Sequence, residues 1–334
     1  MKRRLLVLAL VPLVACDSPS SPGDAQPLSE SAILSHLNFL ASDNMYGRLY
    51  GSEYEFRAAE YVRDKFIDYG LEPGVPGYFQ EFDINVPVMP PAGLESQNVL
   101  GVIPGHGDLA HQWVVVGAHY DHVGWNQVDE DSIEVINGAD DNASGTSLML
   151  EIARFMNEYA ASGGVGDLGR RSIMFQAYGA EELGMVGSYY FCENPTILMA
   201  YITAMLNLDM VGRLRAEALT LIATSSSSGW EEVAEAANTQ SLVLNYVDAN
   251  IGRSDQACFY EAGRPAIFLH TGTHEEYHTP YDDVELINSE GMVRIGNFAI
   301  AVLLDLVLRP EPLRFTGYVP ELSITPAERI ELRN

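Results

Sequence analysis

WVVVGAH, at residues 113–119, is a short run of apolar and β-branched residues that ends in a histidine. Runs of this kind are typical of strands that are buried on both faces of a sheet. Further runs of the same character lie at residues 172–178, 200–208, 219–223 and 266–270. Together they predict a mainly parallel sheet.

Segments with helical spacing of apolar residues lie between and around these runs. They are residues 29–40, 54–69, 147–159, 230–237 and 291–308. Alternation of strands and helices is typical of an α/β domain. We therefore predict a three-layer α/β/α fold with a central mixed, mainly parallel sheet, in one domain at residues 28–310 with a tail at 311–334.

Ionisable residues follow the ends of the predicted strands, and the carboxyl ends of parallel strands meet at one edge of a sheet. These residues are His119, Glu181, Glu182 and Asp209, together with Asp141 and His278 from loops. Each has an ordinary alternative explanation when taken alone, such as a helix cap, a turn or a solvated surface. Their occurrence together predicts a site.

Several carboxylates at one edge of an apolar sheet need compensating positive charge, which metal ions supply. Imidazole and carboxylate groups are ligands that Zn²⁺ accepts, and the chain lacks cysteines at the spacing of a structural zinc finger. Two metal ions that share a bridging carboxylate can also share a hydroxide, which attacks a polarised carbonyl. The residues therefore predict a catalytic zinc site.

The composition limits the class of partner. The chain has 334 residues, of which 47% are hydrophobic, and this is enough for a large buried core. Its formal net charge is −27, and Lys2 and Lys65 are the only lysines. Because such a surface repels nucleic acid and acidic membranes, we exclude nucleic acid as a partner.

Residues 1–15 have the pattern of an export signal, with a basic start, an apolar run and a small-residue cleavage site. LVAC, at residues 13–16, resembles the lipobox of bacterial lipoproteins, in which Cys16 becomes a lipid-bearing N-terminus; an ordinary signal peptide is the alternative. Residues 16–27 are typical of a tether. We expect an exported protein that faces the periplasm or cell exterior and touches a membrane only through lipidated Cys16.

Cys192 and Cys258 are the remaining cysteines. Export permits a disulfide bond between them, and two free buried thiols are an equally good alternative. After the leader, no stretch has the ~18 uninterrupted apolar residues of a membrane helix.

Five motifs resemble, in order, those of the co-catalytic zinc aminopeptidases. They are GAHYD at 117–121, NGADDNASG at 137–145, AEELG at 180–184 with GS at 187–188, LNLDM at 206–210 and YHTP at 277–280. This family also includes glutamate carboxypeptidase, the glutaminyl cyclases and the transferrin receptor ectodomain. The resemblance implies a phosphorylase/hydrolase-like zinc-peptidase fold, two zinc ions per chain and peptide substrates.

The resemblance also implies a set of ligands. Asp141 matches the carboxylate that bridges the two zinc ions. His119 and Asp209 match the ligands of one zinc, and Glu182 and His278 match those of the other. Composition alone does not separate Asp141 from the preceding acid, Asp140, so only the match to Asp-Asn followed by small residues selects it.

Two further acids match catalytic roles. Glu181 matches the general base that takes a proton from the bridging water and passes it to the leaving amine. Asp121 matches the acid that orients His119, and its position two residues later suits this role in extended chain. The resemblance further implies a cis peptide bond after Asp141, and we expect Ser144 to cap the helix that follows.

GRSDQ, at residues 252–256, resembles the family's Ser-Asp-His segment, although Gln256 stands where histidine is commoner. Asp255 and Arg253 are candidates for contacts behind the site or with substrate, and an ion pair near the site is the alternative. Tyr277 is a candidate donor to a substrate carbonyl, with aromatic packing as the alternative.

Several histidines fall outside the predicted ligand set. We expect them to be structural or loop residues. They are His122, His270 and His274.

We predict an aminopeptidase that removes N-terminal residues from peptides. A glutaminyl-peptide cyclotransferase is the nearest alternative, but it uses one zinc and tends to have Asp-Ser where this chain has Asp141-Asn142. A carboxypeptidase would need basic residues for a terminal carboxylate, and Arg253 is the one candidate. A catalytically silent binding module should lack the ligands that this chain retains.

Overall fold

The computed structural model describes residues 25–84, 94–166, 168–249 and 251–319. The predicted leader, Cys16, most of the predicted tether and the end of the predicted tail lie outside the described residues. The α-helices are α1 (Glu30–Leu40), α2 (Glu53–Asp68), α3 (Gly145–Ala161), α4 (Val186–Glu193), α5 (Trp230–Ala237), α6 (Gln256–Glu261) and α7 (Ser289–Leu308).

Most of the strands belong to one large sheet, and short pairs form two small ones. The strands are β1 (Glu72–Pro73), β2 (Phe79–Ile84), β3 (Leu94–Ile103), β4 (His106–Gly107), β5 (Trp113–His119), β6 (Trp125–Gln127), β7 (Ile133–Val135), β8 (Gly169–Arg170), β9 (Ser172–Tyr178), β10 (Ile202–Leu208), β11 (Ala218–Ile222), β12 (Val243–Val247) and β13 (Ala266–His270).

The large sheet has nine strands in the order β1-β3-β9-β5-β10-β13-β11-β12, and β2 also pairs with β3. The neighbours β9, β5, β10 and β13 are parallel to one another. On either side of them, β3 and β11 run antiparallel. The structure therefore confirms the predicted mixed sheet and places its parallel part at the centre.

The antiparallel edge formed by β1, β2 and β3 was not predicted. In β3, the buried polar residues Ser96, Gln97 and Asn98 precede a short apolar stretch at residues 99–103. Asn98 Nδ2, for example, donates to Gln80 Oε1 of β2 at 3.0 Å. Because tertiary hydrogen bonds make the burial of these polar residues favourable, an apolar pattern does not reveal the first half of this strand.

Alternate residues of the central strands pack into two cores on opposite faces. On β5, Val114 and Val116 belong to the large core that contains residues of α1, α2, α3, α5 and α7. Val115, between them, belongs to a smaller core that contains residues of α4 and α6. This alternation confirms the predicted three-layer α/β/α fold.

Helix α7 is long and apolar enough to cross a membrane by length and composition alone. Arg294 and Asp305 interrupt its apolar sequence, and its residues Phe298, Leu303 and Leu306 are buried in the large core. Core packing therefore accounts for its apolar character.

A disulfide bond joins Cys192 of α4 to Cys258 of α6, with a Cα–Cα distance of 6.1 Å. The sequence left open a disulfide bond or two free thiols, and the structure has the disulfide bond. It ties together the two helices that cover the smaller core.

Removing this cross-link is expected to lower the free energy of unfolding by about 2–4 kcal/mol, because it closes a long loop and restricts the unfolded chain. The loop is long because the cysteines are 66 residues apart. Urea unfolding of the oxidised protein and of the Cys192→Ser/Cys258→Ser variant measures the difference. Equal midpoints would show that the bond does not stabilise the fold.

Candidate metal centre

The five predicted ligand residues converge at the carboxyl edge of the parallel strands. His119 ends β5, Glu182 lies in the turn after β9, and Asp209 directly follows β10. Asp141 lies in the turn before α3, and His278 lies in the loop after β13. The sheet topology therefore brings together residues that are far apart in sequence.

Asp141 lies between two groups of donor atoms. Its Oδ1 is 3.3 Å from His119 Nε2, which is 3.6 Å from Asp209 Oδ1. Its Oδ2 is 2.9 Å from His278 Nε2, which is 3.2 Å from Glu182 Oε2. Within each group the donor atoms lie within 4.8 Å of one another. The two oxygens of one carboxylate thus face two candidate cation positions.

Some buried polar atoms of the site have no hydrogen-bond partner, and a bound metal ion would satisfy them. Among the described residues, His119 Nε2 and Asp209 Oδ1 are buried without a hydrogen-bond partner. Orphaned polar atoms of this kind are rare and need an explanation such as a bound ion. Imidazole and carboxylate together, without thiolates, suit a catalytic zinc.

The electrostatic field at the site favours cations. Burial lowers the pKa of His119, but Glu181 and Asp209 outweigh it, so this pKa lies well above its usual value. Burial also lowers the pKa of His278, and its hydrogen bonds to Asp141 and Glu182 nevertheless raise it to about 10. The carboxylates therefore favour positive charge at both histidines, which a proton or a divalent metal can supply.

Asp140 points away from both groups of donor atoms. Its Oδ1 accepts hydrogen bonds from the Gly212 N–H at 2.6 Å and from Ser144 Oγ at 3.0 Å. Its Oδ2 is 3.2 Å from His274 Nε2. The two adjacent aspartates therefore have separate surroundings, and only Asp141 reaches His119 and His278.

The peptide bond between Asp141 and Asn142 is cis, as the resemblance implied. Asn142 ties this turn to its neighbours: its Nδ2 donates to the last carbonyl of β10 at 2.9 Å, and its Oδ1 accepts from the Gly145 N–H at 2.9 Å. Ser144 makes no capping bond to α3. Its single hydroxyl proton is instead shared between the backbone carbonyl of Asp140, at 2.7 Å, and the Asp140 carboxylate, so the expected cap is wrong and Asn142 bonds the first N–H of the helix.

Asp121 holds the turn that carries the two glutamates. Its carboxylate accepts from the Glu181 N–H at 3.0 Å and from the Glu182 N–H at 3.2 Å. The same carboxylate is 3.7 Å from His119 Nδ1, which is too long for a hydrogen bond, while the Asp121 backbone carbonyl is 3.3 Å from that nitrogen. Asp121 therefore lies behind His119, with its carboxylate at ion-pair distance and its main-chain carbonyl closer, and its side chain also holds the two glutamates, a role that was not predicted.

Three ligand-bearing loops turn sharply through non-glycine residues with left-handed backbone. Ala180, before Glu181, has a φ of 53°; Met210, after Asp209, has a φ of 54°; and His278 itself has a φ of 57°. Such conformations are unfavourable and persist where the surrounding structure enforces them. At these three positions the loops that carry the donor groups therefore adopt their conformation at some cost in stability.

Glu55 of α2 also holds the turn that carries Glu181 and Glu182, and the sequence did not predict this role. The side chain is fully buried, and its Oε1 accepts from the Ala180 N–H at 3.0 Å and from Ser96 Oγ at 2.6 Å. Burial, opposed by these hydrogen bonds, raises the pKa of Glu55 to about 8. A glutamate in the first turn of an amphipathic helix carries no sequence signal for this role.

Arg48 is a second missed residue, and it joins two ligand-bearing loops. Its guanidinium is fully buried and donates to the carbonyls of Tyr120 at 2.8 Å, Asn137 at 2.8 Å and Gly138 at 3.0 Å. A fourth bond reaches the carbonyl of Leu40 at 2.6 Å. The contacts tie the segment after β5 to the segment before Asp141, and a lone arginine in the sequence does not reveal them.

Replacing Arg48 by methionine is expected to lower the free energy of unfolding by about 3 kcal/mol or more, because buried carbonyls lose their donors and nearby acids lose a cation. Burial lowers the pKa of Arg48 to about 10, with Asp121 opposing, so the guanidinium is charged at neutral pH. Urea unfolding in the presence of chelator measures the loss. Arg57→Met, at an exposed arginine with one bond to a carbonyl, is the control and should change little.

The GRSDQ segment supports Asp209 from behind. Ser254 Oγ donates to Asp209 Oδ2 at 2.7 Å, and Asn207 Nδ2 donates to Ser254 Oγ at 2.7 Å and to Gln256 Oε1 at 3.2 Å. Gln256 thus takes part in a chain of hydrogen bonds that ends at Asp209. Asp255 is fully buried, and burial raises its pKa to about 7.

The remaining candidates lie around the donor groups. Arg253 is exposed, and the Tyr277 ring stacks on the His278 imidazole with centroids 3.8 Å apart. His270 Nδ1 is 3.1 Å from the Asp209 carbonyl. His122 is the third residue that sequence reasoning missed, since its Nδ1 lies 2.9 Å from Glu182 Oε1.

The part of the chain that carries the site resembles known proteins. The sequence model of peptidase family M28 matches residues 98–303, which include all five predicted ligands. Aminopeptidase YwaD of Bacillus subtilis (strain 168) is 30% identical over 222 residues, covering 64% of this chain and 45% of YwaD. Leucine aminopeptidase 1 of Metarhizium robertsii is 24% identical over 298 residues, covering 84% of this chain and 71% of that protein.

Solved structures are similar in fold. BSAP, a zinc aminopeptidase from Bacillus subtilis, superposes with a TM-score of 0.66 at 20% identity, covering 85% of this chain and 96% of that chain.

This chain spans less than half of the length of YwaD, with a share of 45%.

Proposed function

This chain belongs to peptidase family M28, and we propose that it is a zinc-dependent aminopeptidase that holds two zinc ions and removes N-terminal residues from peptides. One observation carries the proposal: the two oxygens of Asp141 face two separate groups of donor atoms. A carboxylate placed in this way is the bridge that a site for two metals requires.

Each group of donors would hold one zinc ion. His119 and Asp209 would hold one ion, Glu182 and His278 would hold the other, and Asp141 would be shared. When bound, the two ions polarise the scissile carbonyl and lower the pKa of the attacking water.

Glu181 is the proposed general base. Its Oε2 lies 4.0 Å from His119 Nε2, beside the donor groups, and its backbone N–H is held by Asp121. From this place its carboxylate takes the proton of the attacking water and delivers it to the nitrogen of the leaving amine. The other oxygen of the Asp121 carboxylate accepts from the Glu182 N–H. Asp121 therefore fixes the general base Glu181 relative to the proposed ligand Glu182.

The charge of the site favours a peptide's amino end. The carboxylates that surround the site attract an ammonium group and repel a carboxylate. YwaD and the leucine aminopeptidase, which are similar to this chain in sequence, are both named as aminopeptidases. Two donor groups also favour a peptidase over a cyclotransferase, which uses a single zinc.

A panel of aminoacyl chromogenic substrates tests the proposal. We expect hydrolysis of substrates with a free α-amine, loss of hydrolysis with a chelator and recovery when zinc is added. N-acetylated forms of the same substrates should not be cleaved. Cleavage of the blocked forms, or formation of pyroglutamate from N-terminal glutamine with one zinc per chain, would overturn it.

We also propose that the protein is exported and held at a bacterial membrane by lipid on Cys16. The leader pattern at residues 1–16 supports this, and a structural disulfide is typical of proteins outside the reducing cytosol. Cell fractionation with mass spectrometry of the N-terminal peptide tests it. Cys16→Ser should move the protein from the membrane fraction to the soluble fraction, and an unlipidated wild-type peptide would refute the anchor.

A further inference from the structure

His122 lies against Glu182 inside the site, and nothing in the proposed mechanism uses it. The residue is completely buried, and its Nδ1 is 2.9 Å from Glu182 Oε1. The other oxygen of the same carboxylate, Oε2, is 3.2 Å from His278 Nε2. The two oxygens of Glu182 therefore face different histidines.

The imidazole of His122 is held in one orientation. Its backbone N–H donates to the Arg48 carbonyl at 3.2 Å. The ring packs edge to face against the His278 ring, with centroids 5.4 Å apart. Gly138 leaves it room, because a Cβ at that position would lie 2.4 Å from His122 Cδ2. A side chain locked in this way is suited to positioning its neighbour.

We propose that His122 is a positioning residue that donates its Nδ1 proton to Glu182 Oε1, so that Glu182 presents only Oε2 to the metal position shared with His278 and Asp141. This inference rests on the proposed zinc site. Hydrogen bonds from a second group to a metal-bound carboxylate fix its orientation and strengthen metal binding. The 2.9 Å separation is typical of an N–H···O bond to a carboxylate.

The other ring nitrogen argues against a purely structural role. His122 Nε2 is buried and has no hydrogen-bond partner among the residues that the structure describes. A buried polar atom without a partner destabilises a fold, so an apolar residue of similar size would serve packing better. The contact of Nδ1 with Glu182 is the feature that a histidine adds at this position.

Two substitutions separate positioning from metal ligation. In His122→Asn the amide nitrogen stands where Nδ1 stood and can still donate to Glu182, whereas His122→Leu fills a similar volume without a donor. His36 supplies the matched control, because it is a nearly buried histidine bonded to Tyr61 and Tyr69 through its two nitrogens. His36→Leu tests the effect of losing such a histidine outside the site.

Zinc affinity is measured by competition with a chromogenic chelator, a readout that does not depend on peptidase turnover. We expect one of the two zinc affinities to fall by about 10–100-fold in His122→Leu and to stay close to the unmodified value in His122→Asn and His36→Leu. An equal fall in the leucine and asparagine variants would make His122 a ligand and overturn the proposal. Unchanged affinity in both would also overturn it.

Thermal unfolding of the chelated proteins checks the fold. If the leucine variant does not fold, His122→Ala replaces it as the variant without a donor: a fall of about 10–100-fold in the alanine variant with retained affinity in the asparagine variant supports positioning, and equal affinities in the two variants refute it. A wild-type protein that binds two zinc ions but cleaves no aminoacyl substrate would refute the proposed activity and leave the inference about His122 standing.

Discussion

Replacing Glu181 by glutamine is expected to lower kcat by about 10²–10⁴-fold, the usual contribution of a general base, and to leave zinc content unchanged. Glutamine keeps the shape of the side chain but does not accept a proton at neutral pH. The turn should remain in place, because Asp121 bonds the backbone N–H of residue 181 and not its side chain. The measurements are kcat and KM on an aminoacyl chromogenic substrate and zinc by atomic absorption.

Two further variants accompany this experiment, one as a control and one as a contrast. Glu60→Gln, at an exposed position on α2, controls for loss of one carboxylate and should leave kcat unchanged. Glu182→Gln should show the opposite pattern, with loss of zinc, because Oε2 of Glu182 lies 3.2 Å from His278 Nε2. A Glu181→Gln protein with substantial peptidase activity would remove the general base from the mechanism, and one that loses zinc would make Glu181 a ligand.

The second large effect is a loss of zinc affinity, and we expect it from only one of the adjacent aspartates Asp140 and Asp141. Asp141→Asn should lower zinc affinity by more than about 100-fold, because it removes charge from the one carboxylate that faces both donor groups; loss of a group behind a ligand already costs 10–100-fold. Asp140→Asn should keep zinc affinity close to the unmodified value. Competition with a chromogenic chelator measures both.

The Asp140 variant should instead show its effect in folding. Its carboxylate accepts two hydrogen bonds and pairs with His274, so the amide loses the charge and one acceptor. Urea unfolding under chelating conditions should show a lower midpoint for Asp140→Asn. If Asp140→Asn loses zinc as strongly as Asp141→Asn, the two aspartates share the metal role and the assignment from geometry fails.

The predictable part of the site consists of residues that end strands. His119, Glu182 and Asp209 could be found because apolar runs are read directly from the sequence and parallel strands end at one edge. The bridge was harder, since Asp140 and Asp141 are alike in composition and only the resemblance separated them. The structure separates them by distance: Asp141 reaches both histidines, whereas Asp140 turns to Gly212 and Ser144.

The unpredictable part consists of residues that support the strand-end loops from elsewhere in the chain. Arg48 and Glu55 precede the first predicted strand, and their bonds to Tyr120 and Ala180 cross 72 and 125 residues of sequence. His122 looked like a structural histidine because its partner, Glu182, is 60 residues away. Local patterns carry no signal for contacts at such separations.

The sequence by itself therefore predicted the fold class and the strand-end residues that converge, while the choice of Asp141 and the proposed general base Glu181 came from the resemblance. These follow from periodicity and motif order, which are local properties of the chain. Only the tertiary structure decided that Cys192 and Cys258 are joined, that Asp121 bonds the glutamate turn and that His122 faces Glu182. These depend on the direction of side chains across separate elements, which packing sets and sequence spacing does not.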